Sequence, residues 1–455
     1  MNASLHVVRD SGSADEPDHT QRPHGTHPRP VFDANVTTHL VGDIVYFPRE
    51  GSETLRGPAP DDLATHVERY GPRPSALGSD GMALVDTLEA VGLTGRGGAH
   101  FPAAIKWRGV IAAGGGGTVI ANGSEGEPLA AKDATLLQLR PHLVLDGMVS
   151  AAEAVGAVDL VVWLHEGAHM THRAVVQAIH ERRLAGLVEP QIRVLTGPAR
   201  YVTGESSAVV RALNGGPALP ELTRVLPVIS GVHGRPTLLH NAETLARVAV
   251  ASRTGVAGYR PTSLLTIVTG GQRSVAEVEP TATFADAVAH VSPHAIAGAP
   301  QAMLLGGFGG SWVSWADAMV LPVDQPALKA AGLSLGASIV APIPSDTCGL
   351  VETARIAQYL ADSSARQCGP CLFGLRSVAE LVWALADCDV GRSELKRLDR
   401  FMGEISGRGA CAHPDGAIRM IASALHVFAH DVKAHRKGHC VTGRTLRVIP
   451  VPEVD

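Results

Sequence analysis

From Met82 onward, stretches of helical apolar spacing alternate with short apolar runs, and this alternation is the strongest constraint on what the chain can fold into. Helical spacing is carried by Leu84, Leu88 and Val91, breaks at a glycine-rich stretch, and resumes from Ala103 to Ile111. Thr118 to Ala121 reads as a strand that ends at Asn122. It is followed by a helix over Leu143 to Val155, a strand over Leu160 to Leu164 and a helix over His172 to Arg182. Strands that alternate with helices form a mostly parallel sheet with both faces covered, so the expected fold class is α/β with a Rossmann-like first domain. Ligands of such sheets sit where strands end and loops begin, and the loop after Asn122 is a junction of that kind.

A chain of 455 residues is too long for one core, and its character changes along its length. Residues 1–40 lack apolar periodicity and are expected to form a disordered tail. Near Ser263 the pattern shifts to a run at Leu264–Val268, a Gly-Gly turn, a valine-rich run to Val278, a helix at Phe284–Val291 and a strand at Met303–Leu305, suggesting a small β-grasp-type module. After Ala341 the chain turns helical over Leu350–Leu360, Leu375–Leu385 and Ile418–Val427, with cysteines near helix ends. The net charge of -5 offers no broad basic surface, which argues against a nucleic-acid partner. With no basic leader before an apolar run and no stretch of about 20 apolar residues, the expectation is a cytoplasmic protein without direct membrane insertion. Six cysteines, all in the last quarter, suit metal ligation better than a disulfide framework in that compartment.

Four segments carry chemistry. Gly95-Arg96-Gly97-Gly98, before Phe101 and a helix, lets backbone N–H groups approach a phosphate, and Lys106 falls one turn into that helix where it can meet an anion. A tight interhelical turn would look the same. Asn122-Gly123-Ser124-Glu125-Gly126-Glu127 ends a strand with an amide and two carboxylates, able to bind ribityl or ribose hydroxyls or a nicotinamide amide. Tyr201-Val202-Thr203-Gly204-Glu205-Ser206 repeats the Gly-Glu logic, and Asn241 with Thr244 precede a helix, where either could also serve as a cap.

In that order, the four segments resemble the FMN-binding flavoprotein subunit (51 kDa type) of respiratory complex I and of related NAD-linked hydrogenases and formate dehydrogenases, over about Val91 to His426. The resemblance implies an FMN-binding α/β domain at 41–255, a β-grasp, soluble-ligand-binding domain at 256–340, a helical bundle carrying an iron-sulfur cluster at 341–440, and a tail at 441–455. It further implies that Gly95, Arg96, Gly97, Gly98 and Lys106 cradle the FMN phosphate. Asn122, Ser124, Glu125, Tyr201, Gly204 and Glu205 would hold its ring and ribityl chain, and Asn241 and Thr244 would close the site. Phe101, Glu127 and Ser206 match the family's dinucleotide contacts, while Cys368, Cys371 and Cys411 match three of four 4Fe-4S ligands.

The sequence departs from the family at informative places. Ala365 stands where the first cluster cysteine belongs, so the fourth iron would need Cys348, His413, water or another chain, or the site would hold 3Fe-4S. Zinc at Cys368, Cys371, Cys411 and His413, or no metal, are the alternatives. Cys388 and Cys440 read as structural. On the nucleotide side, Ser206 replaces a second glutamate, Ser124 an aspartate and Gly109 a stacking aromatic, and Pro220-Glu221-Leu222-Thr223 replaces a basic Pro-Arg-x-Lys segment. Each such contact contributes roughly 1 to 3 kcal/mol, so FMN binding is better preserved than NADH binding.

The expected function is electron transfer from a hydride donor, NADH or NADPH, through FMN to the cluster and on to a thioredoxin-like 2Fe-2S subunit or a ferredoxin within a hetero-oligomer; a reduced protein could also feed electrons in reverse. No side chain is required as acid or base. The competing class is a non-catalytic scaffold with structural zinc or no metal. A serine nucleophile at Ser334 in Gly332-Leu333-Ser334-Leu335-Gly336 is discounted, because a strand-like run follows the second glycine where a nucleophile elbow needs a helix.

Overall fold

A computed structural model describes residues 37–42, 44–47, 55–222, 225–442 and 447–454. The expected disordered tail therefore lies, up to residue 36, outside the described residues, as does Thr223. The strands are β1 (Val45–Phe47), β2 (Thr118–Asn122), β3 (Asp159–His165), β4 (Ile192–Gly197), β5 (Thr237–Asn241), β6 (Ser263–Thr269), β7 (Gln272–Val278), β8 (Ala302–Leu305), β9 (Ser311–Ser314) and β10 (Ile339–Ile343).

Four strands make a parallel sheet in the order β4-β3-β2-β5. The middles of the central strands are apolar, as a sheet covered on both faces requires: Val119, Ile120, Ala121, Leu160, Val161 and Val162 are all fully buried. The chain steps outward from β2 to β3 to β4, then returns to the other side of β2 as β5, so the order reverses between β2 and β5. Crevices at such reversals are where open α/β sheets bind ligands. In the β2–β5 register Asn122 lies opposite Asn241, which brings the second and fourth sequence motifs side by side.

The helices Pro141–Val155 and Ala242–Gly258 cover one face and are buried almost along their whole length. They cross closely at Gly147, where an added Cβ would stand 1.8 Å from the Leu245 carbonyl oxygen. Only glycine permits that approach.

The second sheet is mixed, in the order β1-β7-β6-β10-β8-β9, with β6 and β10 parallel and the other pairs antiparallel. The Gly270-Gly271 turn joining β6 to β7 has φ of 57° and 77°, a left-handed pair that suits a two-residue hairpin loop. This sheet draws β1 from before the first sheet, and the expected boundary at residue 340 falls within β10. Ser334 precedes β10, opposite to the order of a nucleophile elbow.

From Gly349 the described chain is helical: Gly349–Asp362, Leu375–Ala386, Arg392–Ile405, His413–Val427 and Ala429–His435, with the turn Pro370–Gly374 ahead of the second. No helix among the described residues is long and apolar enough to cross a membrane.

Gly147→Ala should overpack the crossing of the two buried helices and destabilise the protein by about 1 to 3 kcal/mol or more, read as a lower thermal midpoint by circular dichroism. An unchanged midpoint would contradict the close approach.

Candidate functional site

The glycine-dense loop is pinned at both ends and laid across the β2–β5 reversal. The Gly95 N–H donates to the Phe101 carbonyl at 2.8 Å, closing the loop, and the Arg96 N–H donates to Thr244 Oγ1 at 2.9 Å, tying it to the helix after β5. Gly98 takes φ of 103°, open to glycine and strained for other residues. A Cβ on Gly97 would lie 3.5 Å from Asn241 Cβ, so the loop passes directly over the end of β5. Thr244 lies inside the first turn of the Ala242–Gly258 helix and not ahead of it, whereas Asn241 is its N-cap, accepting from the Glu243 N–H at 3.0 Å.

Lys106, in the helix Ala103–Ala112, donates from Nζ to the Leu239 carbonyl at 2.9 Å. Among the described residues no carboxylate lies within ion-pairing distance of this ammonium, and burial pulls its pKa below the usual lysine value. Burial disfavours the charged form of a lysine, and an anion brought beside it would favour that form again.

The second and third motifs interlock. Asn122 Nδ2 donates to the Gly204 carbonyl at 2.8 Å, and the Ser124 N–H donates to Asn122 Oδ1 at 3.1 Å. A Cβ on Gly126 would stand 2.2 Å from the Tyr201 carbonyl, so the two loops meet at backbone contact. Tyr201 Oη and the Phe308 N–H both donate to Glu127 Oε2, at 3.1 and 2.9 Å. Burial pushes the Glu127 carboxyl up to about 7. Glu205 is the N-cap of the helix Ser206–Leu213, accepting from the Ser207 N–H at 2.8 Å and from Ser206 Oγ at 3.1 Å. Glu125 accepts from the N–H groups of Asp133 and Ala134 at 3.0 Å each, capping the helix Lys132–Leu139. Burial and the neighbouring Asp133 raise its carboxyl to about 7.

Beneath the loop lies a buried charge network that the sequence reading missed. Lys132 Nζ meets Asp133 at 2.9 Å, Asn241 Oδ1 at 3.1 Å and Glu243 at 3.2 Å, and Glu243 pairs with Arg247 at 2.8 Å. Burial alone would raise the Glu243 carboxyl, but Lys132, Arg247 and Arg96 hold it down at about 2. The available signal was ionisable residues at the heads of two otherwise apolar helices.

Several buried polar atoms around these loops have no partner: Arg96 Nε, both ring nitrogens of His100, Ser124 Oγ, Glu127 Oε1 and Thr203 Oγ1. Buried polar groups are normally paired, and together with the Lys106 ammonium, bonded to the Leu239 carbonyl, this set fits a polyhydroxylated phosphate ligand. A cavity of about 910 Å³ opens beside the same segments, lined by Glu125, Glu127, Arg200, Tyr201, Tyr359 and Ala365 among others. The glycine-dense loop is not on its wall, so the cavity approaches the second and third motifs from the side facing the C-terminal helices. Phe101 remains about half exposed at the rim of its loop, 48% by surface.

The structure brings Cys368, Cys371 and Cys411 together. Burial pushes the Cys371 thiol well up, with Cys368 and Cys411 adding to it, and Cys411 also feels the charge of Glu205. The sulfur atoms of these three do not all lie within 4.8 Å of one another. Three neighbouring thiols fit the donor set of an iron-sulfur cluster, whose irons take cysteine thiolates. The suggested substitutes for the missing thiolate are placed otherwise. Cys348 lies against His435, at 3.6 Å, outside this trio. His413 directs Nε2 at the Leu360 carbonyl at 2.8 Å and stacks edgewise on Tyr201 at 5.2 Å, leaving Nδ1 buried and unpartnered. Arg211 and Gln367, 3.4 Å apart, join the Ser206–Leu213 helix to the loop holding Ala365.

Comparison with known proteins finds relatives of two regions of the chain. Residues 88–250 match the model of the Nuo51 FMN-binding domain, and 352–435 that of the NADH-ubiquinone oxidoreductase-F iron-sulfur binding region. The F-type subunit of NADH-quinone oxidoreductase in Streptomyces coelicolor is 27% identical over 437 residues, covering 88% of each chain. Its namesake in Salmonella typhimurium is 29% identical over 396 residues, covering 80% of this chain and 86% of its own. Among solved structures, NAD+-reducing [NiFe]-hydrogenase in its H2-reduced state superposes with a TM-score of 0.73 at 23% identity, which speaks to the fold; the match covers 83% of this chain and 66% of the hydrogenase chain. In sequence, along both the region matching the Nuo51 FMN-binding domain and the region matching the NADH-ubiquinone oxidoreductase-F iron-sulfur binding region, the chain resembles the F-type subunits of NADH-quinone oxidoreductase.

Proposed function

We propose that the chain is an FMN-dependent, NADH dehydrogenase-like electron-transfer subunit that takes hydride from NADH or NADPH and passes electrons to an iron-sulfur cluster and a partner protein. The observation that carries this reading is the glycine-dense loop clamped over the sheet's strand-order reversal, near an ammonium with no carboxylate partner among the described residues and several buried polar atoms without a hydrogen-bond partner there. A scaffold would gain nothing from leaving those groups unpaired.

FMN supplies, when bound, acceptance of two electrons as hydride and their release one at a time, which a 4Fe-4S or 3Fe-4S cluster can accept. The chain's own residues do the positioning. The amides of Gly95 to Gly98 and the Lys106 ammonium would hold the phosphate, and Asn122, Ser124, Tyr201, Gly204 and Asn241 would hold the ribityl chain and ring. Glu125 and Glu205, engaged as helix caps, would act mainly by fixing these loops. Phe101, Glu127 and Ser206 would face the dinucleotide, with Glu127 able to present either a carboxyl or a carboxylate near neutrality. Cys368, Cys371 and Cys411 would hold the cluster, and Ala365 leaves one iron without a thiolate from this chain.

The six-stranded sheet is read as the β-grasp-type module of 256–340 joined by β1 and the end of β10, and the helices from Gly349 to His435 as the iron-sulfur bundle. Relatives named as subunits of NADH-quinone oxidoreductase support a hetero-oligomeric setting, with a thioredoxin-like 2Fe-2S subunit or a ferredoxin as the electron partner.

Lys106→Ala should weaken FMN binding about 10- to 100-fold, measured by reconstituting flavin-free protein, because a charge-assisted phosphate contact contributes about 1.5 to 3 kcal/mol. Undiminished affinity would move the phosphate elsewhere. Ala365→Cys should raise iron and acid-labile sulfide per chain in anaerobic preparations; no change would place the fourth ligand outside this register. Glu127, raised to about 7 in the fold, binds a proton there that the unfolded chain loses near the ordinary carboxylate range. Its contribution therefore makes stability fall as pH rises from about 4.5 to about 7. Glu127→Gln should flatten that slope in denaturant titrations, and an identical slope would show that Glu127 does not titrate there.

A further inference from the structure

Away from the cluster cysteines, three other ligand-type side chains converge. Cys348 is buried at the N-cap of the helix Gly349–Asp362, His435 ends the helix Ala429–His435 with no exposure, and Cys440 follows in the tail. Their sulfur and nitrogen atoms all lie within 4.8 Å of one another. They come from segments 87 residues apart in sequence, so the fold, not local spacing, assembles them.

The imidazole is prepared for a metal. His435 Nδ1 lies 2.9 Å from the Leu385 carbonyl oxygen, which can only accept, so Nδ1 carries the hydrogen and Nε2 keeps its lone pair. Nε2 faces Cys348 Sγ at 3.6 Å. An N–H held by a backbone carbonyl is the outer-shell arrangement that orients metal-bound histidines. Bonds of about 2.3 Å to sulfur and 2.0 Å to nitrogen at a tetrahedral angle put the two ligand atoms about 3.5 Å apart, close to the 3.6 Å found here.

We propose that Cys348, His435 and Cys440 form a second metal site, independent of the flavin and the cluster, that takes a zinc-class divalent ion. A fourth ligand would complete the tetrahedron, and the candidate tested below is Cys388, whose N–H donates at 3.2 Å to the same Leu385 carbonyl that meets His435 Nδ1. Binding would expel the thiol protons and replace the weak sulfur–imidazole contact by metal–ligand bonds. The ion would fasten the tail after residue 435 to the starts and ends of two neighbouring helices, a structural role that leaves no coordination position open.

The test is metal content of the full chain by mass spectrometry, with FMN and iron measured on the same sample. About one zinc per chain is expected in the wild type, together with its flavin. Cys348→Ser and Cys440→Ser should each lower zinc about tenfold or more while FMN content stays as in the wild type, and Cys440→His should restore part of it. Because a variant could fail to fold, the wild type is also stripped with chelator and titrated with cobalt. Intense visible bands of a tetrahedral, thiolate-rich site should appear, and zinc should abolish them. Their weakening in Cys388→Ser supports the fourth ligand. The proposal is overturned if the wild type takes up neither zinc nor cobalt, if zinc persists in both serine variants, or if Cys348 and Cys440 are found joined as a disulfide.

Discussion

The parallel register of β2 against β5 is the constraint on which the rest of the site depends. It sets Asn122 opposite Asn241 at the edge where the strand order reverses, and every other motif is tied to one of those two residues. Asn122 reaches the Gly204 carbonyl and so fixes the Tyr201 to Glu205 segment, while Asn241 heads the helix whose Thr244 anchors the glycine-dense loop. A register shift by one residue would turn both asparagines to the opposite face and release all four segments at once.

That arrangement carries an electrostatic cost which is balanced locally. Lys132, Asp133, Glu243 and Arg247 are buried together, and their mutual pairing offsets part of the cost of taking each from water. Lys106 is left out of the network, paired with a carbonyl alone. This ammonium at the ligand crevice is the group we propose to meet the FMN phosphate.

Much of this was legible in the sequence. The strand ending at Asn122 and the helix from Ala103 follow from apolar periodicity, and the convergence of the four motifs follows from strand ends sharing one sheet edge. Strands β4 and β5 are hidden in the sequence: Ile192–Gly197 mixes charged and apolar residues at an edge, and Thr237–Asn241 is short and sits within a motif that suggests a helix start. The charge network was missed because Lys132 and Glu243 look like ordinary solvated first-turn residues until both helices are seen to be buried. Cys440 was read as structural and Cys348 as a cluster substitute. Their meeting at His435 depends on how the C-terminal helices pack, which spacing along the chain does not encode.

The phosphate-cradle assignment can be separated from generic flavin affinity by titrating flavin-free protein with FMN and, separately, with riboflavin, following quenching of flavin fluorescence at low salt. The account predicts that FMN binds tightly and riboflavin, lacking only the phosphate, at least about 100-fold more weakly, a difference of about 2.7 kcal/mol. Equal affinity for the two, or no binding of either, would contradict it.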